Sequence, residues 1–164
     1  MRDRLTARVL LFDPSGRVLM MKGRPPATPD APGVWFTVGG GVKAGESLVE
    51  AARREILEET GFSDFELGAV VWYREAVLAN AAGEPRLFKE SYILARCDGG
   101  EPSRDGWRAL ERSLVEEIRW WSADEVRAAT DEVFYPEGFA DLLAEVAWDR
   151  VPDAPKVLSL IDAP

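Results

Sequence analysis

The stretch that decides the fold runs Gly39-Gly40-Gly41-Val42-Lys43-Ala44-Gly45-Glu46-Ser47-Leu48-Val49-Glu50-Ala51-Ala52-Arg53-Arg54-Glu55-Ile56-Leu57-Glu58-Glu59-Thr60-Gly61-Phe62. Ser47 followed by Glu50 has the spacing of a capping box, and no Gly or Pro interrupts the chain until Gly61, which predicts a helix of about four turns over Ser47 to Thr60. Within it Glu55, Glu58 and Glu59 stand at i, i+3 and i+4, so three carboxylates share one face. Ala51 and Ala52 leave room beside them, and Val49, Ile56 and Leu57 offer apolar surface for docking. Arg54 can pair with a carboxylate and hold it in place. A solvated face laced with ion pairs is the ordinary reading of a helix rich in Glu and Arg. Three like charges on one patch, however, need a cation or a proton to neutralise them. Hard oxygen ligands suit Mg²⁺ or Mn²⁺, and the three preceding glycines let backbone approach a metal ion or a phosphate with no side chain in the way.

Outward from that stretch, Ala7 to Phe12 and Arg17 to Met21 read as strands joined by the turn Asp13-Pro14-Ser15-Gly16, a predicted hairpin. Gly23 to Gly33, with four prolines, reads as an extended loop. Trp35 to Val38 is a short strand leading into the glycines. Phe65 to Val77 and Arg86 to Arg96 are longer strands, and Asp98 to Gly106 is rich in turn residues. A strand around Ile118 to Trp121 leads to Ser122, which with Glu125 marks another helix start. Gly138 to Trp148 has helical spacing. Strands mixed with a few helices, and no repeat or composition break, predict a single α/β (α+β) domain over residues 1–164. The tail from Val151 to Pro164 is expected either to be loosely held or to pack on a second copy as a homodimer.

Composition excludes several function classes. With 20 Lys and Arg against 29 Asp and Glu the net charge is −9, so no nucleic-acid polymer is expected as a partner on charge alone, and a phosphate-bearing ligand needs local cations or a metal ion. The absence of His removes Ser-His-Asp and Cys-His catalysis and leaves carboxylates for acid/base work. The single Cys, Cys97, forms no internal disulfide and reads as structural. The early apolar run Val9 to Phe12 is too short for a membrane span, and the expected location is cytoplasmic.

Gly40, five residues, Glu46, seven residues, then Arg54-Glu55-Ile56-Leu57-Glu58-Glu59-Thr60-Gly61-Phe62 resembles the signature of the Nudix hydrolases (MutT-like) at every defining position. Trp35, the preceding hairpin and the junction Trp120-Trp121-Ser122 are also similar to that family. The resemblance implies a mixed β-sheet sandwiched between helices, and metal-dependent hydrolysis of a diphosphate bond in a nucleoside diphosphate linked to another moiety, with release of a nucleoside monophosphate. It implies Mg²⁺, with Mn²⁺ as the alternative. By position, Glu55, Glu58, Glu59 and the Gly39 carbonyl would hold the metal, Arg54 would orient a carboxylate, and Glu46 would pair within the loop-helix unit. A further acid outside the motif often completes such sites; Glu111, Glu116 and Glu117 are the candidates. The general base is Glu55 or one of those three. Val38 stands where the family commonly has Pro, which puts loop stiffness in question. No subfamily substrate marker occurs between Val71 and Ala79.

Lys22 and Arg24 are candidate cations for a polyphosphate, and Trp107, in a loop with Gly and Asp, is the aromatic expected to touch ligand. The competing function is a catalytically silent nucleotide-binding module on the same fold. An intact cluster of repelling glutamates argues for the enzyme, because a pure binder has no need of it.

Overall fold

The computed structural model describes residues 2–24, 30–80 and 82–161. The proline-rich stretch at residues 25–29 lies outside the described residues. Seven strands form one mixed sheet: β1 (Arg2–Phe12), β2 (Val18–Gly23), β3 (Val34–Gly41), β4 (Phe65–Ala79), β5 (Pro85–Cys97), β6 (Val115–Trp121) and β7 (Lys156–Ser159), in the order β6-β2-β3-β1-β5-β4-β7. The helices are α1 (Leu48–Thr60), α2 (Ala109–Leu114), α3 (Ala123–Ala128) and α4 (Phe139–Glu145). β1 is central and runs parallel to β5 in unbroken register from Arg2↔Arg86 to Phe12↔Arg96.

The predicted hairpin is only a turn. Asp13 Oδ1 accepts the N–H groups of Ser15 and Arg17 at 3.0 and 2.8 Å, but β1 and β2 share the single pair Phe12↔Val18. β3 then enters between them, pairing antiparallel with both. The cause is burial on both sheet faces, which rewards a wide sheet over an isolated two-stranded ribbon.

Strand alternation divides the core in two. Ala7, Val9 and Leu11 of β1 face a cluster with Leu19, Met21, Val38, Ala51, Ala52, Ile56 and Trp107, so α1 covers that face. Leu10 and Phe12 face Trp35, Trp72, Tyr92, Trp121, Val126, Phe139 and Leu143, so α3 and α4 cover the other. This is the expected sandwich. Ser47 Oγ accepts the Glu50 N–H at 3.1 Å, and Gly61, at φ 76°, closes α1 with its N–H on the Leu57 carbonyl. The docking residues differ from expectation: Ala51, Ala52 and Ile56 are buried, whereas Val49 and Leu57 are 45% and 53% exposed. A sheet packs closely against small side chains, and Leu57 lies a full 100° around the helix from Ile56. Val38 is buried and pairs with Val9, so the strand itself stiffens the segment where Pro is usual.

The tail adds β7, parallel to β4, and Ser159 Oγ donates to the Glu75 carbonyl at 3.0 Å. No helix among the described residues is long and apolar enough to cross a membrane.

Candidate active site

The last turns of α1 meet the glycine end of β3. Glu59 is 5% exposed, and its Oε1 accepts the Gly39 N–H at 2.8 Å. Gly39 has φ 146°, and a Cβ there would lie 2.0 Å from the Ala7 carbonyl oxygen, so only glycine can present that N–H. Glu55 lies over Gly40, where a Cβ would come within 2.4 Å of Glu55 Oε1. Arg54 ties the loop to the helix. Its Nε and Nη2 grip the Glu46 carboxylate at 2.8 and 2.9 Å, and Nη2 also donates to the Gly41 carbonyl at 2.9 Å. Its Nη1 reaches Glu55 at 2.6 Å and Glu58 at 3.4 Å. The sequence neighbour of Glu55 therefore supplies compensating charge to two members of the cluster.

These contacts separate the carboxylates electrostatically. The hydrogen bonds from Arg54, then from the Lys43 N–H, hold the Glu46 carboxyl down at about 2. Burial, then the charge of Glu55, pushes Glu59 well above the usual carboxylate range, against the Gly39 N–H. The hydrogen bond to Glu46 is the largest influence raising Arg54.

A cavity of about 460 Å³ opens here, with Glu55, Glu58, Glu59 and Glu111 on its acidic side and Arg4, Arg8, Arg24, Arg108 and Lys43 among its cations. A larger cavity of about 750 Å³ near Asp13, Cys97 and Trp148 contains none of the motif residues. Of the three extra acids, only Glu111 lines the site. It stands in the first turn of α2, an element the sequence reading left unassigned, and its Oε2 is buried with no hydrogen-bond partner among the described residues. Burial, then the charge of Glu55, raises its pKa. Glu116 instead pairs with Arg24 at 2.5 Å, and Glu117 is exposed opposite Lys22 on β6.

Two expected ligand contacts are displaced. Lys22 does not line the cavity; its Nζ lies 3.0 Å from Glu132. Trp107 is 5% exposed in the α1-side core, with Nε1 donating at 2.7 Å to the Glu59 carbonyl. An indole is more stabilising there, because it buries a large apolar area and satisfies a terminal helix carbonyl. Arg24 does line the cavity. The sequence reading missed Arg4, Thr6 and Arg8, whose alternation in β1 was the available signal.

The donor set fits a hard divalent cation: carboxylate oxygens of Glu55, Glu58 and Glu59 with the Gly39 carbonyl, all lining one cavity. Among the described residues no three acidic or Cys side chains already converge as a cage, since Arg54 and the Gly39 N–H direct the oxygens elsewhere. Binding would require those side chains to turn.

The NUDIX domain family model matches residues 2–142. The chain belongs to the Nudix family. A curated relative from Caulobacter vibrioides named RNA pyrophosphohydrolase is 46% identical over 136 residues, covering 78% of this chain and 74% of that one. A MutT Nudix hydrolase from Burkholderia pseudomallei is 25% identical with a TM-score of 0.55, covering 90% and 100% of the two chains. A MutT protein from Bacillus halodurans has a TM-score of 0.59 at 20% identity, over 90% and 84%. This Nudix protein is thus an enzyme of the pyrophosphohydrolase class, with a mixed sheet between helices as its fold.

Proposed function

We propose that this chain hydrolyses a diphosphate bond in a nucleoside diphosphate derivative with the help of a divalent cation, Mg²⁺ or Mn²⁺, held by Glu55, Glu58, Glu59 and the Gly39 carbonyl. The observation that carries this reading is Glu59, a buried carboxylate aimed at the glycine turn beside Glu55. When bound, the cation withdraws charge from the attacked phosphorus and lowers the pKa of water. Arg54 holds Glu55 and Glu58 in orientation while it anchors the loop through Glu46. Glu111 takes the proton of the attacking water at Oε2. Among the described residues that oxygen has no partner, whereas Glu55 Oε1 is already held by Arg54. Water oxygen bonds to phosphorus, the bond to the bridging oxygen breaks, and the products are a nucleoside monophosphate and the phosphorylated remainder.

A second reading takes an RNA end as the carrier of the diphosphate. The 46% identity to the Caulobacter vibrioides protein favours it. The net charge of −9 gives no long-range attraction for a polymer backbone. The test is Mg²⁺-dependent product release from nucleoside triphosphates, ADP-ribose, nucleotide sugars and 5′-triphosphorylated RNA. Monophosphate release that stops in EDTA is expected. Undiminished hydrolysis in excess chelator, or inorganic phosphate as the first product, overturns the reading.

A further inference from the structure

α1 ends with four carbonyls that find no partner within the helix, those of Leu57, Glu58, Glu59 and Thr60. Gly61 serves the first. The segment from Ser103 to Trp107 serves two of the others: the Ser103 N–H donates to the Thr60 carbonyl at 2.7 Å, and the buried Trp107 Nε1 donates to the Glu59 carbonyl at 2.7 Å. Gly106, within that segment, lies so close to the helix that a Cβ would come 2.7 Å from the Glu58 carbonyl oxygen. The segment thus grips the end of the helix that carries Glu55, Glu58 and Glu59.

The same segment runs directly into α2. That helix has six residues and no side-chain cap at its N-terminus, so its own hydrogen bonds hold it weakly. Arg112, the residue after Glu111, reaches back to the segment instead. Its Nη2 donates to the carbonyls of Arg104 and Asp105 at 3.0 and 3.4 Å, and its Nε to that of Trp107 at 3.4 Å. Glu111 lines the cavity together with the three carboxylates of α1, whereas neither Trp107 nor Arg112 lines it.

From this chain of contacts we infer that Trp107 and Arg112 are positioning residues: Trp107 locks the segment 103–107 to α1, Arg112 locks α2 to the segment, and together they fix where Glu111 stands relative to the carboxylates of α1. The inference rests on the reading of Glu111 as proton acceptor. A proton acceptor works only within hydrogen-bond reach of the attacking water, and a displacement of about 1 Å costs turnover rather than binding. Trp suits the lock because one side chain fills the core under α1 and also brings an N–H to a bare helix carbonyl.

The test joins amide hydrogen exchange with steady-state kinetics on a nucleoside triphosphate with Mg²⁺. Trp107→Phe keeps a ring in the core and removes the N–H; Arg112→Gln changes an exposed side chain. In both variants the amides of α2 should exchange at least about tenfold faster than in the parent, with β1 and β5 unchanged. Both should lower kcat about tenfold with KM kept within about twofold. In a Glu111→Gln background, adding Trp107→Phe should cost no more than about a further twofold, because the residue it positions is already gone. Trp120→Phe, which loses an indole N–H donated to the Gly100 carbonyl, should match the parent in exchange of α2 and in kcat. Unchanged exchange in α2, an unchanged kcat in Trp107→Phe, or a full tenfold loss when Trp107→Phe is added to Glu111→Gln overturns the inference. If exchange rises in both variants but Glu111→Gln hydrolyses as fast as the parent, the acceptor reading fails and the lock on α2 stands.

Discussion

The Gly39 N–H and the Glu59 carboxylate, twenty residues apart, meet at 2.8 Å and join the end of a central strand to the last turn of α1. The bond comes from backbone, and the Arg8 charge joins it in favouring the buried carboxylate. Burial and the charge of Glu55 make Glu59 electrostatically costly, and the Gly39 N–H offsets part of that cost.

Glu59→Gln keeps an oxygen for the Gly39 N–H and removes the charge. Turnover should fall at least about a hundredfold, through loss of charge that supports the cation. The raised pKa means the folded chain holds this proton more tightly than the unfolded chain. That contribution is complete below the unfolded value of about 4.3 and is lost as pH rises through the folded one. In EDTA, Glu59→Gln should melt above the parent at pH 8, with the gap closing toward pH 4. Identical melting at both pH values would contradict the burial argument.

Glu46 shifts the opposite way, down to about 2. Its contribution is present above about pH 4.3 and disappears as pH falls toward 2. Glu46→Gln should flatten the acid limb of stability between those values. Activity should drop about ten- to hundredfold, because Arg54 loses the partner that aims it at Glu55. Urea unfolding across pH and turnover at pH 7.5 check the two halves separately.

Gly40→Ala places a Cβ on the Glu55 carboxylate, whose flexible end can move away. The fold should lose no more than about 1 kcal/mol while turnover falls at least about tenfold. Gly39→Ala should behave differently: it meets rigid backbone at Ala7 in a left-handed conformation, and its main effect is a markedly lower melting temperature. Wild-type turnover in Gly40→Ala would show that the placement of Glu55 does not matter.

Glu111→Gln tests the proton acceptor against a neighbour of the same chemistry. Turnover should fall about a hundredfold or more, with the loss greatest at neutral pH, and Glu117→Gln should stay within about twofold of the parent. Equal activity of the two variants removes Glu111 from the mechanism.

The helix and its carboxylate face were legible in the sequence because every signal for them is local: the Ser47 cap, the Gly61 stop and the spacing of Glu55, Glu58 and Glu59. The long strands β4 and β5 were legible for the same reason, through runs of β-forming residues bounded by turn residues. Pairing between strands is not local, so the insertion of β3 between β1 and β2 appeared only in the tertiary structure. The same holds for the cavity. Nothing in residues 109–117 distinguishes Glu111 from Glu116 and Glu117 until α2 turns the first inward and leaves Glu116 beside Arg24. Trp107 looked like a ligand contact from its polar loop, and burial under α1 made it core, since apolar area removed from water outweighs the character of its sequence neighbours. Arg4 and Thr6 carry no motif at all. Their place in the cavity comes from the glycines across the strand and the carboxylates brought up by a helix more than forty residues later, a juxtaposition that only chain closure creates.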